Sequence, residues 1–98
     1  MNYDIVVVGA GPAGLTAALY GLRAGKSVLV LEGKAYGGQI VNAKEVENYP
    51  GVPSISGRDL SKNMFQQVKQ LGGETKLEKV ISLKNEGEQK IITTDMDE

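Results

Sequence analysis

Gly9-Ala10-Gly11-Pro12-Ala13-Gly14 match the spacing G-x-G-x-x-G, and one acid, Glu32, follows Gly14 by 18 residues. That separation is close to the roughly 20 expected of a dinucleotide fingerprint. The chemistry these residues can do is binding. Gly9 permits a tight turn, Gly11 lets the backbone approach a pyrophosphate, and Gly14 lets the next helix pack closely on its strand. With Ala10, Pro12 and Ala13 completing the turn, the helix start offers N–H groups and positive potential to phosphates. Glu32 can accept hydrogen bonds from both hydroxyls of a ribose and would repel a 2′-phosphate. The pattern therefore fits FAD or NAD better than NADP, and by itself it does not separate the first two. The plainer alternatives are a glycine turn that only packs a βα unit and, for Glu32, a solvated strand end. The complete strand–turn–helix–strand–acid context favours binding.

Little else in the chain can do chemistry. It has no cysteine and no histidine, which removes thiolate nucleophiles, disulfides and the usual general base and zinc ligand. No catalytic residue and no metal site are expected, so a cofactor that carries its own redox chemistry suits these residues best. Eleven basic and twelve acidic residues give a net charge of −1, which calls for neither nucleic acid nor an anionic membrane as partner. Residues 5–22 carry no charge, a run long enough to suggest a membrane span. Gly9, Gly11, Gly14, Gly21 and Pro12 interrupt it, however, and four branched residues open it. Met1-Asn2-Tyr3-Asp4 lacks the basic start of a signal peptide, so a cytoplasmic location is expected.

These residues need elements to hold them. Residues 3–8 read as a buried strand covered on both faces, because the apolar run is continuous rather than alternating. Pro12 suits the first position of a helix running to about Ala24, with Gly25 as a left-handed cap. Residues 27–32 form a second buried strand, closing a βαβ unit over residues 3–32. Residues 33–55 lack a regular pattern, and a loop of that length in a small domain is expected to serve a purpose. Residues 56–71 read as a helix. Ser56 and Asp59 have capping-box spacing, and Leu60, Met64, Val68 and Leu71 mark one face. Lys76 to Lys84 and Gln89 to Thr94 read as the strands of a hairpin within residues 76–94. The fold class is α/β, a Rossmann-like parallel sheet with a second helix and a small hairpin.

Several stretches resemble the N-terminal part of bacterial-type, low-molecular-weight NADPH-dependent thioredoxin reductases: residues 3–18, Leu31-Glu32-Gly33, Gly37-Gly38-Gln39-Ile40, and above all Glu45-Val46-Glu47-Asn48-Tyr49-Pro50-Gly51. The fingerprint is shared by many flavoproteins; its combination with Gly-Gly-Gln and Glu-Asn-Tyr-Pro-Gly is narrower. The resemblance covers residues 3–84 and weakens beyond them. It implies an FAD-binding segment in which the fingerprint, Glu32 and Gly33 hold the adenosine side. Gly37, Gly38 and Gln39 would lie along the flavin and its ribityl chain, Asn48 would reach the flavin region, and the backbone near Val80 would contact adenine. It also implies a homodimer in which NADPH reduces FAD, FAD reduces a Cys-x-x-Cys pair, and that pair reduces thioredoxin. Read without the family, Gly37-Gly38 is a turn, Gln39 an exposed residue, Val80 a core residue, and Asn48 as readily the cap of a turn. Tyr20 and Tyr49 read as packing residues.

The departures from the family pattern are substantial. Residues 1–98 hold no Cys-x-x-Cys and no second G-x-G-x-x-G for NADPH, and the family's final FAD segment has no counterpart. The expectation is an incomplete FAD-binding domain, the first part of a longer enzyme and inactive by itself. A ferredoxin–NADP reductase of the same fold and a non-catalytic dinucleotide-binding module are the alternatives.

Overall fold

Branched side chains are crowded at χ1 in a helix and fit well on a pleated sheet. In the computed structural model the two branched runs form β1 (Ile5–Val8) and β2 (Val28–Leu31). The structure describes residues 2–34, 37, 42–51 and 54–96. Between the two strands lies α1 (Pro12–Arg23). The uncharged run of residues 5–22 is thus divided between a strand and a helix, and among the described residues no helix is long and apolar enough to cross a membrane. After the segment that follows β2, α2 (Gly57–Gln70) leads into β3 (Glu74–Lys76). The last strands are β4 (Val80–Glu86) and β5 (Gln89–Thr94).

β1, β2 and β3 form a parallel sheet in that spatial order, with Ile5 opposite Val28 and Leu29 opposite Glu74. All four residues of β2 are buried. β1 departs from its expected burial on both faces. Ile5, Val6 and Val7 are half-buried, and Val8 is 60% exposed. β1 is an edge of this sheet, and α1 covers only the face carrying Ile5 and Val7. On the other face, Val6, Leu29 and Leu31 line a cleft of about 680 Å³ shared with Leu83, Ile91 and Ile92 of the β4–β5 hairpin.

A second difference concerns residues 76–84. They do not form one hairpin strand. The chain joins the parallel sheet at β3, leaves it, and re-forms as β4. A buried strand with an open edge would leave backbone groups unpaired. β3 supplies the partners, and the pairing runs on through a hydrogen bond from the Glu32 N–H to the Lys76 carbonyl, 3.1 Å. The local sequence, Lys76-Leu77-Glu78-Lys79, has no apolar alternation to announce this exchange.

The core lies between the helices and one sheet face. It contains Leu15 and Ala18 of α1, Val28 and Val30 of β2, and Leu60, Met64 and Val68 of α2. Burial of a large aliphatic side chain contributes about 1.5–3 kcal/mol. The Ser56 hydroxyl, which accepts the Asp59 N–H at 3.1 Å, contributes about 1 kcal/mol as an N-cap. Packing therefore fixes where α2 lies, and the cap fixes where it begins. Leu71 is not part of the buried face. It is 49% exposed at the C-cap, where the chain turns back. Both helices end alike: Gly25 and Lys26 bond back to Leu22 and Gly21, and Gly72 and Gly73 to Lys69 and Val68, the paired closure of a Schellman motif.

The tightest approach is α1 on β1. A Cβ at Gly14 would overlap the carbonyl oxygen of Gly9, a backbone atom with no room to retreat. At Gly21 a Cβ would meet only side-chain tips, Ile5 Cδ1 at 2.9 Å and Val28 Cγ2 at 3.1 Å. Helix propensity gains about 1 kcal/mol from either Gly→Ala change, while overpacking typically costs about 1–3 kcal/mol. Gly14→Ala should lose about 2 kcal/mol in urea unfolding, the upper end of that balance, and Gly21→Ala should stay within about 1 kcal/mol of the parent chain. Equal losses at the two positions would refute this account of the packing.

Candidate functional site: the turn from β1 to α1

The site is built where β1 and β2 end side by side. Gly9 leaves β1 with φ +103, a region side chains avoid, while its N–H stays on the ladder, donating to the Leu31 carbonyl at 2.7 Å. Ala10 is fully buried. Its N–H donates to Glu32 Oε1 at 2.9 Å, and its carbonyl accepts the Gly37 N–H at 2.7 Å. Gly11 is the N-cap of α1 in an extended conformation and brings no side chain to the helix start. Pro12 occupies the first helical position, where it has no N–H to satisfy. The N–H groups of Ala13 and Gly14, by helix geometry, have no intrahelical carbonyl. No acid lies in the first turn, so the positive end of the helix dipole is not neutralised there.

Glu32 stands beside this turn. Its second carboxylate oxygen, Oε2, accepts the Lys34 N–H at 2.9 Å. The Ala10 N–H, followed by the Lys34 N–H, holds this carboxyl below the usual glutamate range, against an opposing effect of burial. It is a carboxylate at neutral pH. Each carboxylate oxygen has two acceptor positions, so both keep one for an incoming hydroxyl. The residues present therefore fit an adenosine ribose and its pyrophosphate: an ionised acid at the strand end, free N–H groups at the helix start, and no side chain between them.

The structure brings together Gly9, Ala10, Gly11, Pro12, Ala13, Gly14, Glu32, Gly33 and Gly37. Gly38 and Gln39 lie outside the described residues. Asn48 is exposed on a segment stitched by the Val46–Ile55 bridge and by a hydrogen bond from Ser54 Oγ to Glu45 Oε1, 2.6 Å. Among the described residues no hydrogen bond ties Asn48 to the fingerprint turn. Val80 opens β4 next to Lys79, whose Cα and Cβ lie 3.6 Å from where a Gly33 Cβ would stand. Lys79 is held there by a reciprocal backbone clip: its N–H donates to Asp95 Oδ1 at 3.0 Å, and the Asp95 N–H donates to its carbonyl at 2.9 Å. Neither Lys34 nor Lys79 was expected at the site. Lys34 could have been suspected from its place two residues beyond Glu32. The position of Lys79 follows from the break between β3 and β4 and has no local signal. Of the two tyrosines, Tyr49 packs against the core, whereas Tyr20 is 61% exposed with the Arg23 guanidinium 6.0 Å from its ring centre.

Comparison with known proteins agrees with this fold. Residues 3–98 match the family model described as pyridine nucleotide-disulphide oxidoreductase. A thioredoxin reductase of Listeria monocytogenes is 56% identical over 72 residues, covering 74% of this chain and 23% of that relative. One from Peptoclostridium acidaminophilum is 43% identical over 91 residues, covering 92% of this chain and 29% of the relative. The crystal structure of a Lactococcus lactis thioredoxin reductase superposes with a TM-score of 0.93 at 42% identity, covering 98% of this chain and 32% of that one. The chain thus spans between 23% and 32% of the length of these relatives.

The lowered Glu32 pKa fixes the sign of a pH effect. A carboxyl whose folded value lies below its unfolded value, about 4.3, stabilises the fold above the unfolded value. That contribution is lost as pH falls through the folded one. Asp4, lowered by the Ser27 N–H and then the Ser27 hydroxyl, acts in the same direction. In thermal unfolding, the parent chain should exceed Glu32→Gln in stability at neutral pH, and the gap should close below about pH 4. A gap independent of pH would show that the carboxylate charge contributes nothing.

Proposed function

Because the chain belongs to the pyridine nucleotide-disulphide oxidoreductase family, we propose that it is the FAD-binding segment of a thioredoxin reductase, with the β1–α1 turn as the pyrophosphate and ribose site. The observation that carries this reading is the hydrogen bond between the Ala10 N–H and Glu32 Oε1, 2.9 Å. It holds a carboxylate one hydrogen bond from the β1–α1 turn, which supports a ribose contact beside a pyrophosphate contact. In this reading Gly9 and Gly11 let the pyrophosphate reach the backbone, and the Ala13 and Gly14 N–H groups receive its charge. Glu32 accepts the ribose hydroxyls and excludes a 2′-phosphate. Gly33, with the backbone at Val80, flanks the adenine. Gly37, Gly38, Gln39 and Asn48 serve the flavin side.

Bound flavin would supply two-electron redox chemistry, accepting a hydride equivalent and returning electrons to a disulfide. The chain's own residues bind and orient. The chain has no cysteine and one G-x-G-x-x-G; in this reading the redox disulfide and the NADPH site lie in other parts of a longer protein, with thioredoxin as electron acceptor and a homodimer as the working state. The relatives named above are thioredoxin reductases, which favours this reading over a ferredoxin–NADP reductase. The segment alone should not oxidise NADPH.

Titration with FAD and ADP, followed by flavin fluorescence and calorimetry, tests the proposal. The parent chain should bind ADP, should bind FAD at most weakly because the family's final FAD segment has no counterpart here, and should discriminate against adenosine 2′,5′-bisphosphate. Gly11→Val should abolish binding by blocking the backbone approach. Glu32→Ala should weaken ADP binding by roughly tenfold or more, as expected for hydrogen bonds to a charged acceptor. Undiminished affinity in Gly11→Val would sink the assignment of the turn.

A further inference from the structure

The proposed ribose role leaves part of the Glu32 geometry unexplained. A ribose ligand needs a carboxylate facing outward, yet both oxygens of Glu32 are already engaged by backbone N–H groups on either side of it, Ala10 at 2.9 Å and Lys34 at 2.9 Å. The turn it reaches contains Gly9 and Gly11, residues with wide backbone freedom. Among the described residues, Ala10 and its neighbour Gly9 are held by the Gly9 N–H on Leu31, the Gly37 N–H on the Ala10 carbonyl, and Glu32 on the Ala10 N–H. Of these, the last is made by a side chain.

Resting on the nucleotide-binding reading above, we infer that Glu32 is also a positioning residue for the phosphates: by holding the Ala10 N–H it sets the shape of the β1–α1 turn before any ligand arrives. The two roles are compatible, because each carboxylate oxygen that accepts a backbone N–H keeps a second position for a hydroxyl. The second anchor, on Lys34, prevents the carboxylate from swinging out to follow the ribose. A turn already in its binding shape spares the ligand the ordering of two glycines.

This role has a sign that a ribose contact alone does not. Glu32 is an anion next to an anion-binding turn. On charge grounds, its removal should leave the binding of a ligand without ribose unchanged or make it tighter. If Glu32 shapes the turn, removal weakens that binding. Inorganic pyrophosphate is the probe, because it can occupy the turn and has no hydroxyl for Glu32. By NMR titration, pyrophosphate affinity should fall by about fivefold or more in Glu32→Ala. It should recover in part in Glu32→Gln, whose single carbonyl oxygen can replace one of the two acceptors. Unchanged or tighter pyrophosphate binding in Glu32→Ala, while the parent chain binds ADP, overturns the positioning role and leaves the nucleotide site intact. Failure of the parent chain to bind ADP at all overturns the nucleotide reading itself.

The tether also has a signature without ligand, which decides the matter if Glu32→Ala does not fold. The charged groups around the Glu32 carboxylate are Lys34 on its own segment and Lys79 packed over Gly33; the first turn of α1 carries no acid. Among the described residues, no other acid acts on the Glu32 carboxyl. On acidification of the parent chain, the Ala10 and Lys34 amide protons should therefore shift together with one midpoint below the ordinary glutamate value. An Ala10 amide that does not respond to pH in that range overturns the proposal.

Discussion

The close passage of α1 over the end of β1 is the constraint on which the rest of the structure depends. At Gly14 the helix backbone comes so near the Gly9 carbonyl that no side chain fits between them. That contact sets the angle at which α1 leaves the sheet, and hence where its unpaired N–H groups point. It also brings Leu15 and Ala18 down onto Val28 and Val30, so the geometry of the phosphate-binding end and the packing of the core are fixed by the same approach. α2 then covers the remaining side of α1 with Leu60, Met64 and Val68, and the buried layer is complete on that face of the sheet.

Electrostatics joins what packing brings close. The carboxylate of Glu32 gathers N–H groups from the turn before α1 and from the chain after β2, and the Gly37 N–H closes the other side of Ala10. Two stretches of backbone distant in sequence, the turn at Ala10 and the chain at Lys34 and Gly37, are thereby held around one buried alanine. The helix start supplies positive potential and the acid supplies a fixed negative charge a short distance away. A nucleotide, with an anionic pyrophosphate next to a neutral diol, has the complementary order of groups.

The opposite face of the sheet has a different character. Leu29 and Leu31 are buried there, but Val8 is largely exposed, and the β4–β5 hairpin stands across a cleft rather than in contact along its length. The hairpin is fastened at its base, where Lys79 and Asp95 exchange hydrogen bonds and Thr94 Oγ1 donates to Glu78 Oε1 at 2.7 Å. That fastening sets Lys79 beside Gly33, next to the candidate site. None of the residues lining this cleft belongs to the β1–α1 turn. The proposed binding determinants are backbone groups of the turn and the carboxylate of Glu32 beside it.

Much of this was written locally. The fingerprint spacing, the branched runs of β1 and β2, Pro12 at the start of α1, Gly25 at its end, and the Ser56–Asp59 cap each follow from the stereochemistry of a few adjacent residues, and each is found where that stereochemistry puts it. The acid at position 32 was legible as a partner of the turn because strand length and helix length together fix its distance. Other features had no local cause. Residues 74–76 joined the parallel sheet because the open edge of β2 needed hydrogen-bond partners, a demand made by a strand some forty residues earlier. Val8 and Leu71 were exposed because an edge strand and a helix terminus lack neighbours, although their side chains are as apolar as those of the core. The double engagement of Glu32 by Ala10 and Lys34 required the turn, the strand end and the following residues to converge on one carboxylate. The sequence by itself determined which segments were strand, turn and helix, and which residue types could receive a nucleotide, because those depend on local backbone preference and spacing. Only the tertiary structure decided which edges were paired, which apolar residues were buried, and what held the carboxylate in place, because those depend on groups far apart in the chain satisfying one another's hydrogen bonds and excluding water together.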